Sequence, residues 1–160
     1  MDDLGQLFDD AVATFREELM RALLDVRNAR DPVAFTATER EVVRLSKRFA
    51  ASLVQRVVQS VSDDPERVQE AMEKIRATSA KRGVVLDRCG RRETTVRMLG
   101  GESVRLVTAY AAARPQGGNR STRGTQGTGV YPVLDQLGIT GRSTPALRLL
   151  VSRTMCEANS

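Results

Sequence analysis

Apolar residues in the first half of the chain recur every three or four positions, in three blocks. The first block runs from Asp3 to about Asn28, and a turn is expected at 29–37 because Pro32 is hard to place inside a helix. Thr38-Glu39-Arg40-Glu41 is a capping-box pattern that predicts the start of a second helix. In Ser62-Asp63-Asp64-Pro65, Asp64 can cap a third helix with proline at its first position. The pattern predicts helices of about 25, 25 and 15 residues, packed as an antiparallel bundle or a helical hairpin.

The apolar period shortens to two after residue 80. Segments 83–87, 94–99 and 103–110 are typical of strands, and Gly100-Gly101 is typical of a hairpin turn. We expect a hairpin in which an apolar face backs a partly basic one. The residues predicted to face the apolar side are Val96, Met98, Val104, Leu106 and Thr108, and those predicted to face the other side are Thr95, Arg97, Leu99, Arg105, Val107 and Ala109.

The last third alternates between a flexible segment and short helices. Residues 111–128 are rich in glycine and arginine and contain no run of large apolar residues, which is typical of a flexible loop. Residues 130–139 suit a short helical turn closed by Gly138, and Ser143-Thr144-Pro145 starts a last helix. The expected fold is therefore α+β and mainly α. Its regions are a helical assembly region at 1–80, a β-hairpin at 81–111, a basic loop at 112–129, and a short turn plus C-terminal helix at 130–160.

Charge is distributed unevenly along the chain. Residues 1–80 hold 12 basic and 15 acidic side chains, whereas residues 81–160 hold 13 basic and 5 acidic ones. Between Lys81 and Arg123, 10 basic residues face 3 acidic ones, a net charge of +7. Such a segment should attract phosphates in a salt-sensitive way, and DNA is the expected partner. The residues expected to contact DNA are Arg91, Arg92, Arg97, Arg105, Arg120 and Arg123.

Two plainer explanations of this charge stay open at this stage. A basic surface also keeps a protein in solution, and a GC-rich genome favours arginine codons. Only Tyr110 and Tyr131 offer aromatic rings in this half, so stacking on single strands is disfavoured.

The composition offers few residues suited to catalysis or metal binding. The chain has no histidine, the commonest general base near neutral pH, and the acidic residues of the second half form no motif. Cys89 and Cys156 are expected to be reduced thiols, and neither has a second ligand at metal spacing. We therefore expect no enzyme, no catalytic residue, no metal site and no cofactor in this chain. The acidic start and the lack of a long apolar run predict a cytoplasmic protein.

The second half also resembles a known family. The segments that carry the likeness are 94–106 (TTVRMLGGESVRL), 129–139 (GVYPVLDQLGI) and 143–147 (STPAL), followed by Glu157-Ala158-Asn159-Ser160. Their order and spacing resemble the N-terminal region of ISKra-type bacterial insertion-sequence transposases. The likeness covers about residues 92–160, whereas the first 80 residues match only as a helical leader.

This resemblance implies a non-catalytic DNA-binding and assembly region. A ribonuclease-H-like domain beyond Ser160 would hold Mg²⁺ through three acidic residues. Relatives often carry a cysteine pair after the second strand, where this chain has Ala111-Ala112-Ala113-Arg114-Pro115. The helices are expected to form a homodimer or a higher oligomer. A helical protein-interaction module with no nucleic-acid role is the alternative, and an independent nuclease or hydrolase is the least favoured class.

Overall fold

The first two helices pack against each other as an antiparallel hairpin. The computed structural model describes residues 2–28, 30–113 and 129–158. Helix α1 spans Asp2–Asn28 and helix α2 spans Pro32–Asp63. The ring of Phe15 stacks on that of Phe49 with centroids 4.4 Å apart. Near the other end of the pair, Arg56 donates a hydrogen bond of 2.7 Å to the carbonyl of Leu7.

Helix α2 begins earlier than its sequence predicts. Asp31, and not Thr38, is the N-cap: its side chain accepts a hydrogen bond of 2.8 Å from the backbone N–H of Ala34. Pro32 occupies the first turn, where its missing N–H costs nothing. Thr38 lies inside the helix and donates to the carbonyl of Ala34 at 3.0 Å. The predicted turn over 29–37 is therefore wrong from Pro32 onwards.

Helix α3 spans Pro65–Ala80 and leaves the hairpin to pack on the sheet. As predicted, Asp64 caps it, accepting from the backbone N–H groups of Glu66 and Arg67. Its buried Val68 and Ala71 pack against strand β2 and helix α4, and Met72 packs against the base of strand β1. Of the two arrangements predicted for the N-terminal helices, the helical hairpin is the one formed.

Three antiparallel strands form the sheet in the order β1-β2-β3. Strand β1 spans Leu86–Arg97, β2 spans Ser103–Ala113, and β3 is the short pair Gly129–Val130. The separate strands predicted at 83–87 and 94–99 are wrong: one strand begins at Leu86 and continues to Arg97, and residues 83–85 lie outside it. A bulge between Arg88 and Arg91, with Gly90 at φ 88°, carries it across the polar interval. The predicted turn at Gly100-Gly101 is confirmed, with Gly101 at φ 86°.

The two faces of the hairpin differ in burial. Near the turn, Val96 on β1, Met98 just after it, and Val104 and Leu106 on β2 are buried together with Ala51 and Val58 of α2. The opposite face is exposed, so the predicted alternation is confirmed there. Further along β2 it fails, because Ala109 is buried against α3. The outward orientation predicted for Ala109 is wrong, since α3 covers the second face at this end.

Helix α2 also covers the free edge of β2. The side-chain amide of Gln59 donates to the carbonyl of Val107 at 2.9 Å and accepts from its N–H at 3.0 Å. One helical turn earlier, Gln55 donates to the carbonyl of Arg105 at 2.7 Å. These amides satisfy backbone groups that a neighbouring strand would otherwise pair, which protects the edge from pairing with other chains.

Two short helices complete the described chain. Helix α4 spans Pro132–Gln136 and is followed by Gly138 at φ 72°, as the sequence predicts. Its Leu134 joins the core between α2 and the hairpin. Helix α5 spans Pro145–Ala158 and begins where the sequence predicts. Within the described ranges, no helix has both the length and the apolar character needed to cross a membrane.

Candidate nucleic-acid interface

One face of the hairpin is exposed to solvent near the turn. This end of the hairpin is the tip, and the other end, where Leu86 pairs with Ala113, is the base. Arg97 of β1 and Arg105 of β2 are exposed on this face, two residues apart in the cross-strand register. The Arg105 side chain is 80% exposed, and its nearest acidic group is Glu93, 4.0 Å away and also exposed. An ion pair with this geometry in water contributes little, so the Arg105 guanidinium stays accessible to other anions.

A tight turn places a third arginine beside Arg97, at the edge of β1. The backbone N–H of Ser143 donates to the carbonyl of Thr140 at 3.2 Å, and both central residues of the turn, Gly141 and Arg142, have φ 60°. Positive φ at both positions is the type I′ geometry, which favours glycine or asparagine. Arg142 is the one non-glycine residue with positive φ in the described chain. Its backbone is thus held in a conformation that arginine rarely adopts.

Backbone hydrogen bonds fix this turn to the edge of β1. The N–H of Arg97 donates to the carbonyl of Arg142 at 2.8 Å, and the N–H of Thr144 donates to the carbonyl of Arg97 at 3.1 Å. Among the residues that the structure describes, neither Arg97 nor Arg142 has an acidic side chain within ion-pair distance. We call Arg97, Arg105 and Arg142 the tip cluster.

A neighbouring arginine on α2 has a carboxylate partner. Arg44 donates from Nε to Glu41 at 2.7 Å. This hydrogen bond lowers the pKa of Glu41 below its ordinary value and raises that of Arg44. The charge of Glu102, beside the hairpin turn, adds to the effect on the Arg44 pKa.

At the base of the hairpin, the arginine side chains contact other parts of the protein. Arg91 forms an ion pair with Asp63 at the end of α2 and donates to the carbonyl of Val107 at 2.6 Å. It therefore bridges β1, β2 and α2. Arg91 belongs to the residues predicted to contact DNA, and in this structure its guanidinium is engaged by protein atoms.

Arg92 is engaged by an aromatic ring. Its guanidinium carbon lies 4.1 Å from the centroid of Tyr110, and the Tyr110 ring packs against Tyr131 with centroids 5.2 Å apart. Tyr110 also lies where a side chain on Gly129 would have to be, so only glycine fits at that position of β3. Arg92 is thus part of the packing around β3.

The remaining predicted positions fall into two groups. Arg120 and Arg123 lie outside the described residues, so their DNA contacts stay predictions. Cys89 is an exposed free thiol in the β1 bulge, and the side chain of Cys156 lies outside the described part. Within the described part, no group of three potential metal ligands comes together.

The sequence reasoning missed Arg142. The signal available was the Thr140-Gly141-Arg142-Ser143 stretch, in which a glycine next to a polar residue favours a tight turn. What the stretch alone does not show is that this turn joins the edge of β1 beside Arg97.

No family model, no curated protein and no solved structure matches the chain.

Proposed function

We propose that this chain is a non-catalytic DNA-binding and assembly region of a transposase, acting in the cytoplasm on the DNA backbone. The observation that carries the proposal is the tip cluster: three exposed arginines on one end of a ribbon, two of them without an acidic partner in the described chain. The resemblance of residues 92–160 to ISKra-type transposases supports the choice of DNA.

The geometry suits phosphate binding better than base reading. A duplex carries one negative charge about every 1.7 Å of axis, so a rigid pair of strands can set several guanidinium groups against successive phosphates. Arginine presents a planar fork of donors that matches phosphate oxygens. Such contacts position a protein without specifying sequence. We therefore expect salt-sensitive binding that tolerates many sequences.

The test is the double charge reversal Arg97→Glu/Arg142→Glu in the full chain. Binding to a labelled duplex should weaken for every sequence tried. The slope of log K against log salt should fall by about 2, close to the 0.9 expected for each lost phosphate contact. Fluorescence anisotropy at several salt concentrations measures both effects.

A matched control changes the same total charge elsewhere. Arg21 and Arg30 are exposed in the helical hairpin, so Arg21→Glu/Arg30→Glu alters net charge equally without touching the tip. If both double variants weaken binding equally, the attraction is general and the tip cluster is not a site. If wild-type protein does not bind duplex DNA at low salt, the DNA proposal is wrong.

A helical protein-interaction module with no nucleic-acid role is the second candidate. Exposed apolar side chains on both hairpin helices favour it, including Phe8 and Phe35 at 50% and 53% exposure. Sedimentation with and without duplex DNA separates the two functions, since only a DNA-binding protein sediments faster when duplex is added.

A further inference from the structure

The helical hairpin buries only part of its apolar surface. Phe8 and Leu23 on α1 are 50% and 45% exposed, and Phe35 and Val57 on α2 are 53% and 47% exposed. Monomeric proteins expose single apolar side chains routinely, so the question is whether these lie together.

They do lie together. The contacts between α1 and α2 set Leu7 opposite Arg56, Phe15 opposite Phe49 and Glu18 near Arg48. Extending that antiparallel register at 3.6 residues per turn puts these four residues on one side of the hairpin, whereas Met20, Leu24, Val33, Val43 and Val54 point elsewhere. This apolar face contains Phe8, Val12 and Leu23 of α1 and Phe35, Leu53 and Val57 of α2. The sheet packs against Ala51 and Val58, on the opposite side of α2.

The apolar face has the composition of an interface core. By helical position, Glu39 is the one charged residue on it between the ends of the two helices. The other charges lie at its rim, where Asp9, Arg16 and Arg27 follow one edge of α1. A mostly apolar centre beside a charged edge is typical of protein interfaces.

The dimensions fit a dimer. Helix α1 has 27 residues and is about 40 Å long, and two helices side by side are about 20 Å wide. The face therefore covers about 800 Å², close to what each partner buries in a stable interface of standard size.

The charges at the rim indicate which partner covers the apolar face and how that partner is oriented. Asp9 and Arg27 lie 18 residues apart, which is five helical turns, so they lie on the same edge at opposite ends of α1. A twofold axis perpendicular to the helices sets two α1 helices antiparallel, and each Asp9 then faces an Arg27. We infer that a second copy of this chain covers the apolar face in this arrangement, forming a four-helix bundle.

This inference rests on the assembly role proposed above and names its partner, but it does not require DNA binding. It also fixes where the two sheets lie. Each sheet packs on the C-terminal half of α2, through Ala51 and Val58, on the side away from the apolar face. The twofold axis crosses α1 near Glu18, which is level with Arg48 of α2, and the hairpin turn lies beside Lys47. The two tip clusters therefore lie on opposite faces of the bundle, near its middle.

Adjacent leucines provide a matched test. Leu23 and Leu24 are 45% and 51% exposed, and their side chains point about 100° apart, so only Leu23 lies on the apolar face. Leu23→Glu should raise the dimer dissociation constant at least a hundredfold, since each dimer would bury two unpaired carboxylates. Leu24→Glu should leave it unchanged. Sedimentation velocity of the full chain over a wide concentration range measures both, and circular dichroism checks that each variant is folded.

A charge swap tests the direction. Asp9→Arg and Arg27→Asp should each weaken the dimer about two- to fivefold, the size expected for rim ion pairs that occur twice. The double variant should recover wild-type affinity. A wild-type chain that is monomeric at every concentration, or equal effects of Leu23→Glu and Leu24→Glu, would refute the apolar face. If the double variant dimerises more weakly than either single variant, the antiparallel arrangement is wrong. None of these outcomes bears on the tip cluster, which is tested by DNA affinity.

Discussion

The base and the tip of the β-hairpin use arginine in opposite ways. At the base, Arg91 joins two strands to the end of α2, and Arg92 lies over the Tyr110 ring. At the tip, Arg97 and Arg142 are linked only through their backbones, and their guanidinium groups have no acidic partner in the described chain. The density of arginine along the sequence is similar at both ends. The two ends differ in their neighbours: at the base, Asp63 of α2 and the Tyr110 ring lie within contact distance of the arginine side chains.

Arginine therefore has two roles in this hairpin, and the net charge of the segment does not distinguish them. An arginine that bridges protein groups contributes to folding, and turning it towards a phosphate would cost those contacts. One whose donors face water has lost little on folding and can exchange water for phosphate oxygens. Stability and DNA affinity should therefore respond to different arginines in the same ribbon.

The largest effect is expected from Gly129→Ala at the base. A methyl group there would overlap the phenol ring of Tyr110, which packs on both Arg92 and Tyr131. Accommodating it would displace the ring or β3, and we expect a loss of about 3 kcal/mol in the free energy of unfolding, measured by urea denaturation. Gly100→Ala is the control at the tip, where the added methyl meets Lys47 only at 3.7 Å. If Gly129→Ala is as stable as wild type, the base is not the packed end.

A smaller effect should distinguish Arg91 from Arg97. Arg91→Ala removes the bridge to Asp63 and to the carbonyl of Val107, and we expect it to cost about 1 kcal/mol of stability, since the ion pair is half exposed and contributes little beyond the hydrogen bond. Arg97→Ala should change stability by less than about 0.5 kcal/mol. For DNA affinity, Arg97→Ala should have the larger effect and Arg91→Ala the smaller one. Urea denaturation and anisotropy on the same two variants test both, and equal stability losses would remove the distinction between base and tip.

Much of the fold follows from patterns that are local in sequence. The hairpin turn, the cap at Asp64 and the start of α5 depend on residues within a few positions of each other, and they are found where predicted. The errors arise where two local signals compete. Asp31-Pro32 marks a helix start as well as a break, and the Thr38 pattern placed the predicted N-cap seven residues too late.

The predictions that failed or stayed incomplete depend on distant contacts. Strand β1 crosses a polar interval because β2 supplies its partners on both sides of the Gly90 bulge. Arg91 is engaged by Asp63, 28 residues away. Arg142 reaches the tip through a turn whose pairing with β1 has no signature in its own residues. The basic ribbon could be predicted from the sequence. Which of its arginines are free could not, because their partners lie on other elements.

The smallest expected effect concerns Arg44, which lies near the tip yet has its own partner. The hydrogen bond from Arg44 lowers the pKa of Glu41 below its ordinary value of 4.5. A carboxylate with a lowered folded pKa stabilises the protein above its unfolded pKa, and this contribution is lost as the pH falls through the folded value. Glu41→Gln should therefore lower the melting temperature slightly near neutral pH, with the difference vanishing in acid. It should also free Arg44 and raise DNA affinity marginally. A gain in affinity equal to the loss caused by Arg97→Ala would mean that pairing, and not position at the tip, decides which arginines bind.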